Sequence, residues 1–212
     1  MTQHINPQRS PREIKTPRMG PLSTLPVFFK LCGQSVLLAG GDAAAAWKAE
    51  LLSSAGALVH VMTVMPDAEM LALAAERPAN VTLHLRPWSI TDFFGMAMAI
   101  GAIADNAEAQ AFRCAAKAAG VPVNIVDQPA FCDFSFGSIV NRSPLVIGIS
   151  TDGAAPVFGQ AIRARIESIL PAGLSRWAAA AKHWRGRIES LKWPFRQRRI
   201  FWEQFANAAM AA

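Results

Sequence analysis

Two polar segments in the second half of the chain each follow an apolar run, and both have side chains that could carry chemistry. Asp127 follows the β-branched run at residues 121–126, and a Ser-Thr-Asp-Gly segment at residues 150–153 follows the run Leu145–Ile149. A carboxylate at a strand end can act as a general base or as an oxygen ligand for a metal ion in transit. Hydroxyl and backbone N–H groups ahead of a helix suit an anion. Because open α/β sheets bind ligands at the carboxyl ends of their strands, we predict a ligand site from these segments.

Each segment also has a purely structural interpretation. An aspartate shortly before a proline, as in Asp127 and Pro129, is common in turns. Ser150, Thr151 and Asp152 belong to the residue types that cap helix N-termini. Spacing alone favours the turn and the cap, so the chemical interpretation depends on further matches along the chain.

A third candidate is the turn at residues 39–45, Ala-Gly-Gly-Asp-Ala-Ala-Ala. A strand, a glycine turn and a helix N-terminus form the pyrophosphate cradle of dinucleotide-binding folds, where free N–H groups and the helix dipole meet the phosphates. In the G-x-G-x-x-G/A pattern the three positions are Gly40, Asp42 and Ala45, so an aspartate replaces the middle glycine. The acidic ribose ligand of that pattern, about 20 residues further on, is absent, and the nearest acid is Asp67. By itself this turn is a weak dinucleotide signal.

Strands and helices alternate around these segments, which predicts an α/β fold with a Rossmann-like parallel sheet and helices on both faces. The predicted strands lie at residues 35–39, 58–64, 81–85, 98–102 and 121–126, and the predicted helices lie at 43–55, 66–76 and 107–119, with a turn of helix at 90–96. We assign residues 21–136 to this NAD-binding type of domain and residues 1–20, which carry Pro and Arg but no apolar core, to a disordered leader.

The rest of the chain divides at Pro171. Residues 137–170 are expected to form one long strand and one amphipathic helix, which are too few elements to bury their own apolar faces. We therefore predict a dimerisation segment and an intertwined homodimer. Residues 171–212 are expected to form a helical C-terminal domain. Four tryptophans are expected to pack between its helices, namely Trp177, Trp184, Trp193 and Trp202.

The net charge of +6 does not indicate a nucleic-acid-binding protein, because the basic residues gather at the ends of the chain. Residues 19–175 hold nine basic and twelve acidic residues, while residues 1–18 and 176–203 hold the excess of Lys and Arg. A basic tail could still attract polyanions, but the net negative charge of the body and its lack of a basic-aromatic strand motif disfavour a nucleic-acid-binding protein. We predict no nucleic-acid partner.

The spacing of the cysteines and histidines bears on the cellular location of the protein and on whether it binds a metal ion. Cys32, Cys114 and Cys132 are odd in number and widely spaced, which predicts reduced thiols, a cytoplasmic location and no zinc site. No apolar run reaches the roughly 18–20 residues of a membrane span, so no membrane association is expected. The histidines are scattered without metal-ligand spacing, which predicts no permanent metal site: His4, His60, His84 and His183.

Several further motifs occur together in one order along the chain. They are Leu-Pro-Val-Phe-Phe-Lys-Leu at residues 25–31, the glycine turn followed by Lys-Ala at 48–49, Asn-Ile-Val-Asp at 124–127, Arg-Ser-Pro-Leu at 142–145, Ile-Ser-Thr-x-Gly-x-x-Pro at 149–156, Ile-Arg at 162–163 and Arg-x-Phe-Trp-Glu at 199–203. Together they resemble the precorrin-2 dehydrogenase and sirohydrochlorin ferrochelatase module of siroheme synthases. Asn-x-x-Asp and Ser-Thr-x-Gly-x-x-Pro carry most of the specificity of this resemblance.

The resemblance implies an NAD-binding domain, a swapped dimerisation segment and a small helical domain. It also implies two reactions on a tetrapyrrole at one site, namely NAD-dependent oxidation of precorrin-2 to sirohydrochlorin and insertion of Fe2+, a substrate, to give siroheme. The catalytic aspartate of the family falls on Asp127, which could also ligate the metal transiently. Positions that contact NAD fall on Gly40, Gly41, Asp42, Ala43, Ala44, Val64 and Met65.

The substrate-binding candidates lie beside the catalytic aspartate and in the second half of the chain. They are Asn124, Ser150, Thr151 and Arg142, with Arg163 and Arg165 as further candidates for a cationic rim on charge alone. An alternative interpretation is a non-catalytic tetrapyrrole- or nucleotide-binding dimerisation module. Asp42 in the glycine turn favours that alternative, whereas Asp127 favours an enzyme.

Overall fold

The computed structural model describes residues 20–211, which fall into two compact units. One unit is Phe28–Phe136, and among the described residues the other consists of residues 20–27 together with residues 137–211. Apart from Gly20, the predicted leader at residues 1–20 lies outside the described residues.

The unit Phe28–Phe136 is built around a five-stranded parallel sheet with the order β3-β2-β1-β4-β5. Its strands are β1 (Ser35–Ala39), β2 (Leu58–Met62), β3 (Val81–His84), β4 (Met98–Gly101) and β5 (Val123–Ile125). Its helices are α1 (Ala43–Ser54), α2 (Ala68–Glu76) and α3 (Asn106–Ala118). The strand order reverses between β1 and β4, so the crevice between these strands is the switch point where such sheets bind ligands. The predicted Rossmann-like fold is confirmed.

Side chains of β1 alternate between the two faces of the sheet and are apolar on both. Val36 and Leu38 pack in one cluster with residues of α1 and α2, and Leu37 and Ala39 pack in a second cluster with residues of α3. All four side chains are at most 2 % exposed. The central strand is therefore covered by helices on both faces, and the hydrophobic effect fixes its place in the sheet.

The fifth strand is shorter than the sequence pattern predicts. It begins at Val123 because Pro122 has no N–H to donate, and the N–H of Val121 instead donates to the carbonyl of Ala116 at 2.9 Å, at the end of α3. The predicted turn of helix before β4 is a short 3-10 helix, Ile90–Phe93.

The other unit contains an antiparallel hairpin and three helices. The hairpin pairs β6 (Ser138–Arg142) with β7 (Leu145–Ile149), and the helices are α4 (Pro156–Ile169), α5 (Leu174–Ser190) and α6 (Phe195–Ala211). The prediction of one long strand in residues 137–170 is wrong, because the chain turns at residues 143–144 and pairs the segment before the turn with the segment after it. Among the helices within residues 20–211, none has the combination of length and apolar character that crossing a bilayer requires.

Helix α4 leaves most of its apolar side chains uncovered. Val157, Phe158 and Ile169 are 77, 59 and 62 % exposed, and Ile162 and Ile166 are only half-buried. The two-stranded hairpin and this helix thus fail to bury the apolar stripe that the sequence pattern indicates.

Helices α5 and α6 pack through aromatic side chains. The ring centroid of Trp177 lies 5.1 Å from that of Phe205, and the centroids of Trp184 and Trp193 lie 6.3 and 6.2 Å from that of Phe201. These tilted and edge-to-face contacts are typical of aromatic packing, as the sequence predicts for these tryptophans.

The carboxylate of Asp92 holds the loop after β3. It accepts two N–H donors of Arg86 at 2.7 and 2.8 Å and the backbone N–H of Ser89 at 2.7 Å. The pKa of Asp92 is lowered to about 2, mainly because its carboxylate accepts hydrogen bonds from the Arg86 guanidinium. A carboxylate with a lowered pKa stabilises the fold above its ordinary pKa, and this contribution is lost as the pH falls toward 2.

We expect Asp92→Asn to lower the free energy of unfolding by about 1 kcal/mol at neutral pH, a value reduced because Arg86 is half-exposed. The difference in the free energy of unfolding between the variant and the wild type should become smaller as the pH falls from about 4 to about 2. Urea unfolding at neutral and acidic pH measures both effects. A gap of the same size at both pH values would contradict this account of Asp92.

Candidate active site

The glycine turn lies at the switch point of the sheet. Gly40 follows β1 with φ at +127°, and a Cβ at this position would lie 2.8 Å from the Cβ of Ala102, which follows β4. Gly41 packs against the loop after β2, where an added Cβ would lie 2.7 Å from the carbonyl oxygen of Met65. Both glycines are thus required by close approach of neighbouring backbone, as in dinucleotide-binding turns.

Helix α1 begins directly after this turn and offers free N–H groups. Ala43 and Ala44 are exposed, and the first backbone hydrogen bond of the helix runs from the N–H of Ala46 to the carbonyl of Asp42 at 2.9 Å. The N–H groups of Ala43 and Ala44 therefore precede the intrahelical hydrogen bonds and lie at the positive end of the helix dipole. An anion such as a pyrophosphate fits this end of the helix.

Asp42 is the N-cap of α1. Its carboxylate accepts the N–H of Ala45 at 2.8 Å, and its backbone is extended. The cap stabilises the helix, but it also places a negative charge at the helix end where a phosphate would bind. Asp42 and a phosphate therefore compete for the same positive end.

The loop after β2 presents apolar surface beside the glycine turn. Val64 and Met65 are 63 and 81 % exposed. The N–H of Asp67 donates to the carbonyl of Gly41 at 2.8 Å, which ties this loop to the turn. The carboxylate of Asp67, the acid nearest in sequence to the position of the missing ribose ligand, caps α2 by accepting the N–H of Met70 at 2.8 Å.

Asp127 lies at the tip of a tight turn after β5. The N–H of Gln128 donates to the carbonyl of Ile125 at 3.2 Å, and the N–H of Val126 donates to the carbonyl of Gly101, the last residue of β4, at 2.8 Å. Asp127 is exposed and has φ at +60°, a conformation that aspartate tolerates better than most side chains. The turn therefore fixes the direction from which the exposed carboxylate of Asp127 is presented.

Asn124 ties the end of this loop to β5. Its side chain is buried, and its amide donates to the carbonyl of Phe134 at 2.8 Å. Asn124 is predicted to bind substrate, but in the structure its side chain is buried and contacts the backbone of its own unit. Through this contact it positions the loop that carries Asp127.

Cys132 is a second tie within the same loop. Its thiol donates to the carbonyl of Ile125 at 3.2 Å, and its sulfur accepts the N–H of Ile125 at 3.2 Å. Burial raises the pKa of the Cys132 thiol, which keeps it protonated and able to donate. The loop that carries Asp127 is therefore anchored to β5 by two neighbouring side chains.

Lys48 on α1 is a site residue that the sequence does not single out. Its ammonium lies 4.0 Å from the ring centroid of Phe136 and 4.7 Å from that of Trp47. Burial lowers the pKa of Lys48, and attraction by the carboxylate of Asp127 opposes this lowering. A cation of the first helix therefore lies within electrostatic range of the predicted catalytic carboxylate. In the sequence, Lys48 is only the lysine of the Lys-Ala pair after the glycine turn, and nothing in the sequence shows that it lies near Asp127.

Ser150 and Thr151 lie between β7 and α4 in the other unit. The N-cap of α4 is Ala155, which makes no side-chain capping hydrogen bond, so the interpretation of residues 150–152 as the cap is wrong. The hydroxyl of Ser150 instead accepts the N–H of Asp152 at 3.2 Å. Ser150 is exposed and Thr151 is half-buried, so the Ser150 hydroxyl in particular is accessible to a ligand.

Arg142 joins a small cationic cluster in that unit. Its guanidinium lies 3.9 Å from the carboxylate of Glu167 on α4, and the guanidinium of Arg163 lies 3.3 Å from the same carboxylate. Two cations share one anion, so the cluster keeps a positive charge. Arg165 is exposed on the same helix.

The structure therefore places the predicted dinucleotide residues and Asp127 at the carboxyl ends of strands in one sheet, and it places Arg142, Ser150 and Thr151 in the other unit. A dinucleotide fits that edge of the sheet: two glycines are closely packed, two N–H groups at the start of α1 are free, and apolar surface follows β2. Within residues 20–211 no group of three or more His, Cys, Asp and Glu side chains is arranged to hold a metal ion.

Two family models match the chain. The model described as "Putative NAD(P)-binding" matches residues 27–138, and the model described as "Sirohaem biosynthesis protein central" matches residues 142–169. The first match spans more than half of the chain and contains the whole parallel sheet. The second contains β7 and α4.

Curated proteins that are similar to the chain are siroheme synthases. The relative from Ectopseudomonas mendocina is 39% identical over 187 residues, and the relative from Nitrosomonas eutropha is 35% identical over 186 residues. Each alignment covers 88% of this chain, but it covers 40% and 39% of the two relatives. The chain thus spans about two fifths of the length of the curated relatives it matches.

A solved structure described as "SirC, precorrin-2 dehydrogenase" has the same fold. It matches with a TM-score of 0.74 and 19% identity, and the match covers 88% of this chain and 91% of that chain. The family models and the curated relatives confirm the resemblance that the motifs indicate. The chain belongs to the NAD(P)-binding family matched over residues 27–138.

Proposed function

We propose that the chain is an NAD-dependent dehydrogenase of siroheme biosynthesis that oxidises precorrin-2 to sirohydrochlorin. The observation that carries the proposal is the placement of the glycine turn after β1 and of Asp127 after β5, on the two strands that flank β4. The similarity to siroheme synthases and the fold shared with a precorrin-2 dehydrogenase support this substrate class.

The residues around the glycine turn are proposed to hold NAD. The two glycines let the turn pack closely against Ala102 and the loop after β2, and the N–H groups of Ala43 and Ala44 bind the pyrophosphate. The exposed apolar surface of Val64 and Met65 suits the adenosine half of the dinucleotide. When bound, NAD supplies the acceptor for the hydride that leaves the macrocycle.

Asp127 is proposed to take the proton that leaves the macrocycle in the same oxidation. It is exposed, and its loop is anchored by Asn124 and Cys132, so its carboxylate is presented from a fixed backbone. Lys48 is proposed as a positioning residue, because its ammonium attracts Asp127 from α1. The ammonium is held over the ring of Phe136, which limits where it can move.

We further propose that Asp127 serves the insertion of Fe2+ into sirohydrochlorin. Two pyrrole N–H protons must leave the macrocycle when a dication enters, so the charge balances and a base is again needed. A carboxylate can also ligate the incoming Fe2+ in transit. Supplying pre-made sirohydrochlorin and Fe2+ without NAD+ isolates this step. Siroheme formation faster than in the protein-free control would support the second activity, and an unchanged rate would refute it.

The unit Gly137–Ala212 is proposed to bind the carboxylates of the tetrapyrrole. Arg142 and Arg163 form a cluster that keeps a positive charge, and Arg165 adds an exposed cation. Ser150 and Thr151 provide hydroxyl groups near the start of α4. A macrocycle ringed by carboxylates requires such cationic and hydroxyl-bearing surroundings.

We propose that the segment from β6 to α4 pairs with a second copy of the chain to form a homodimer. We expect a mass of two chains in light scattering at micromolar concentration, with an interface of more than about 2,000 Å2 in total. The physical reason is the apolar surface of Val157, Phe158 and Ile169, which a single chain leaves exposed.

Phe158→Glu should shift this equilibrium toward the single chain, because the carboxylate would be buried in the interface. Its circular dichroism should stay native, since Phe158 is exposed in one chain. A monomeric mass for the wild-type chain at the same concentration would contradict the proposed dimer.

A non-catalytic module that binds a tetrapyrrole or a nucleotide is the second candidate, and the carboxylate of Asp42 at the helix end favours it. The two candidates differ in turnover. The enzyme forms NADH only when protein, precorrin-2 and NAD+ are all present. The binding module takes up precorrin-2 in calorimetry and forms no NADH, and that result would refute the dehydrogenase.

A further inference from the structure

The strand register brings together two histidines that are 24 residues apart in the sequence. His60 on β2 and His84 at the end of β3 lie on neighbouring parallel strands, in which His60 pairs with Thr82 and Met62 pairs with His84. The ring centroids are 5.7 Å apart, and Nδ1 of His60 lies 3.4 Å from Nε2 of His84. The two imidazole rings therefore bring one nitrogen each into direct contact.

The separation of these nitrogens, which form a long hydrogen bond, also equals the spacing of two ligands on one metal ion. Two nitrogens that bind one Zn2+ at about 2.0–2.1 Å with a tetrahedral angle lie about 3.3–3.4 Å apart. Most hydrogen bonds donated by N–H groups are shorter, at roughly 2.7–3.2 Å, so this contact is a weak one that a cation could replace. The observed 3.4 Å thus matches the spacing of two ligands on one tetrahedral cation.

Water can reach the pair. His60 and His84 are both half-buried, while Thr82 beside them and Leu58, two residues before His60 on the same face of β2, are exposed. Within residues 20–211 no third His, Cys, Asp or Glu joins the pair. Solvent must therefore complete the coordination shell of any bound ion, and such an ion would exchange readily.

We propose that His60 and His84 form a second binding site, which takes a divalent first-row transition cation of the class that imidazole prefers, such as Zn2+. This site is distinct from the proposed tetrapyrrole site. The pair lies on β2 and β3, whereas Asp127 follows β5 at the opposite edge of the sheet order. The inference goes beyond the proposed function, and it holds or fails independently of dehydrogenase activity.

Calorimetric titration of the full chain with Zn2+ alone tests the proposal. We expect His60→Gln and His84→Gln each to weaken the Zn2+ binding event by at least about tenfold, because the second imidazole binds as an intramolecular ligand in the wild type. His183→Gln, on α5, is the matched control and should leave that event unchanged. Equal Zn2+ affinity and stoichiometry in the wild type and both pair variants would overturn the proposal.

Histidine ring signals in NMR spectra of the wild-type chain give a second test that needs no variant to fold. One equivalent of Zn2+ should shift the ring signals of His60 and His84 together and leave those of His183 in place. Unmoved His60 and His84 signals at saturating Zn2+ would show that the pair is only a packing contact, and the proposal would fail.

Discussion

Replacing Asp127 with asparagine is expected to slow both proposed reactions together, by roughly 10²–10⁴-fold. Asparagine keeps the shape of the side chain and removes the base. It also tolerates the left-handed backbone at φ +60°, whereas alanine at that conformation would cost about 1–2 kcal/mol and could disturb the loop. NADH formation from precorrin-2 and Fe2+ insertion into pre-made sirohydrochlorin, measured separately on the same preparation, give the two rates.

Thr151→Ala is the comparison variant for this experiment. It should cost less than Asp127→Asn, because a hydroxyl near a helix start can be partly replaced by backbone N–H groups and water. If Asp127→Asn keeps both rates within about twofold of the wild type while its circular dichroism is native, Asp127 is a turn residue and not the general base.

Replacing Asp42 with glycine is expected to tighten NAD binding several-fold. The carboxylate of Asp42 lies at the end of α1 where the pyrophosphate is proposed to bind, and repulsion near a partly solvated surface is on the order of 1 kcal/mol. Glycine is itself an acceptable N-cap, so the loss of helix stability should be only about a few tenths of a kcal/mol. Calorimetry with NAD+ measures the affinity, and urea unfolding measures the stability.

Asp105→Gly separates the charge effect from the loss of a cap. Asp105 caps α3 as Asp42 caps α1, and its carboxylate accepts the N–H of Glu108 at 2.8 Å. This control should lose a similar small stability and gain no NAD affinity. Asp42→Gly should leave Fe2+ insertion into pre-made sirohydrochlorin unchanged, since no dinucleotide takes part in that step. Equal or weaker NAD affinity in Asp42→Gly would rule out competition between this carboxylate and the phosphates.

The parallel sheet could be predicted from the sequence because each strand is an apolar run followed by a turn signal and a helix. β1, at Ser35–Ala39, is predicted to the residue, since the glycine turn marks its end. β6, at Ser138–Arg142, was not predicted, because only Ile139 and Val140 are apolar and polar residues flank them. β6 pairs with β7 through the two-residue turn Ser143-Pro144, which lacks the glycine or asparagine that marks most such hairpins in a sequence.

The candidate site could be predicted only where its residues are close in sequence. The glycine turn and the loop of Asp127 are local motifs that directly follow strands. Their place at the carboxyl ends of the strands therefore follows from the fold class. Lys48 comes within electrostatic range of Asp127, and His60 contacts His84, only through the order and register of the strands and helices. The spacing of residues along the sequence does not contain the strand register, so the histidines look unrelated in the sequence alone.

The absorption spectrum of precorrin-2 during incubation with the protein, NAD+ and then Fe2+ is the most direct measurement of the central claim. The account predicts conversion to the spectrum of sirohydrochlorin that depends on both protein and NAD+, with one NADH formed for each macrocycle oxidised, followed by the spectrum of siroheme once Fe2+ is added. A precorrin-2 spectrum that changes no faster with protein and NAD+ than with NAD+ alone would contradict it.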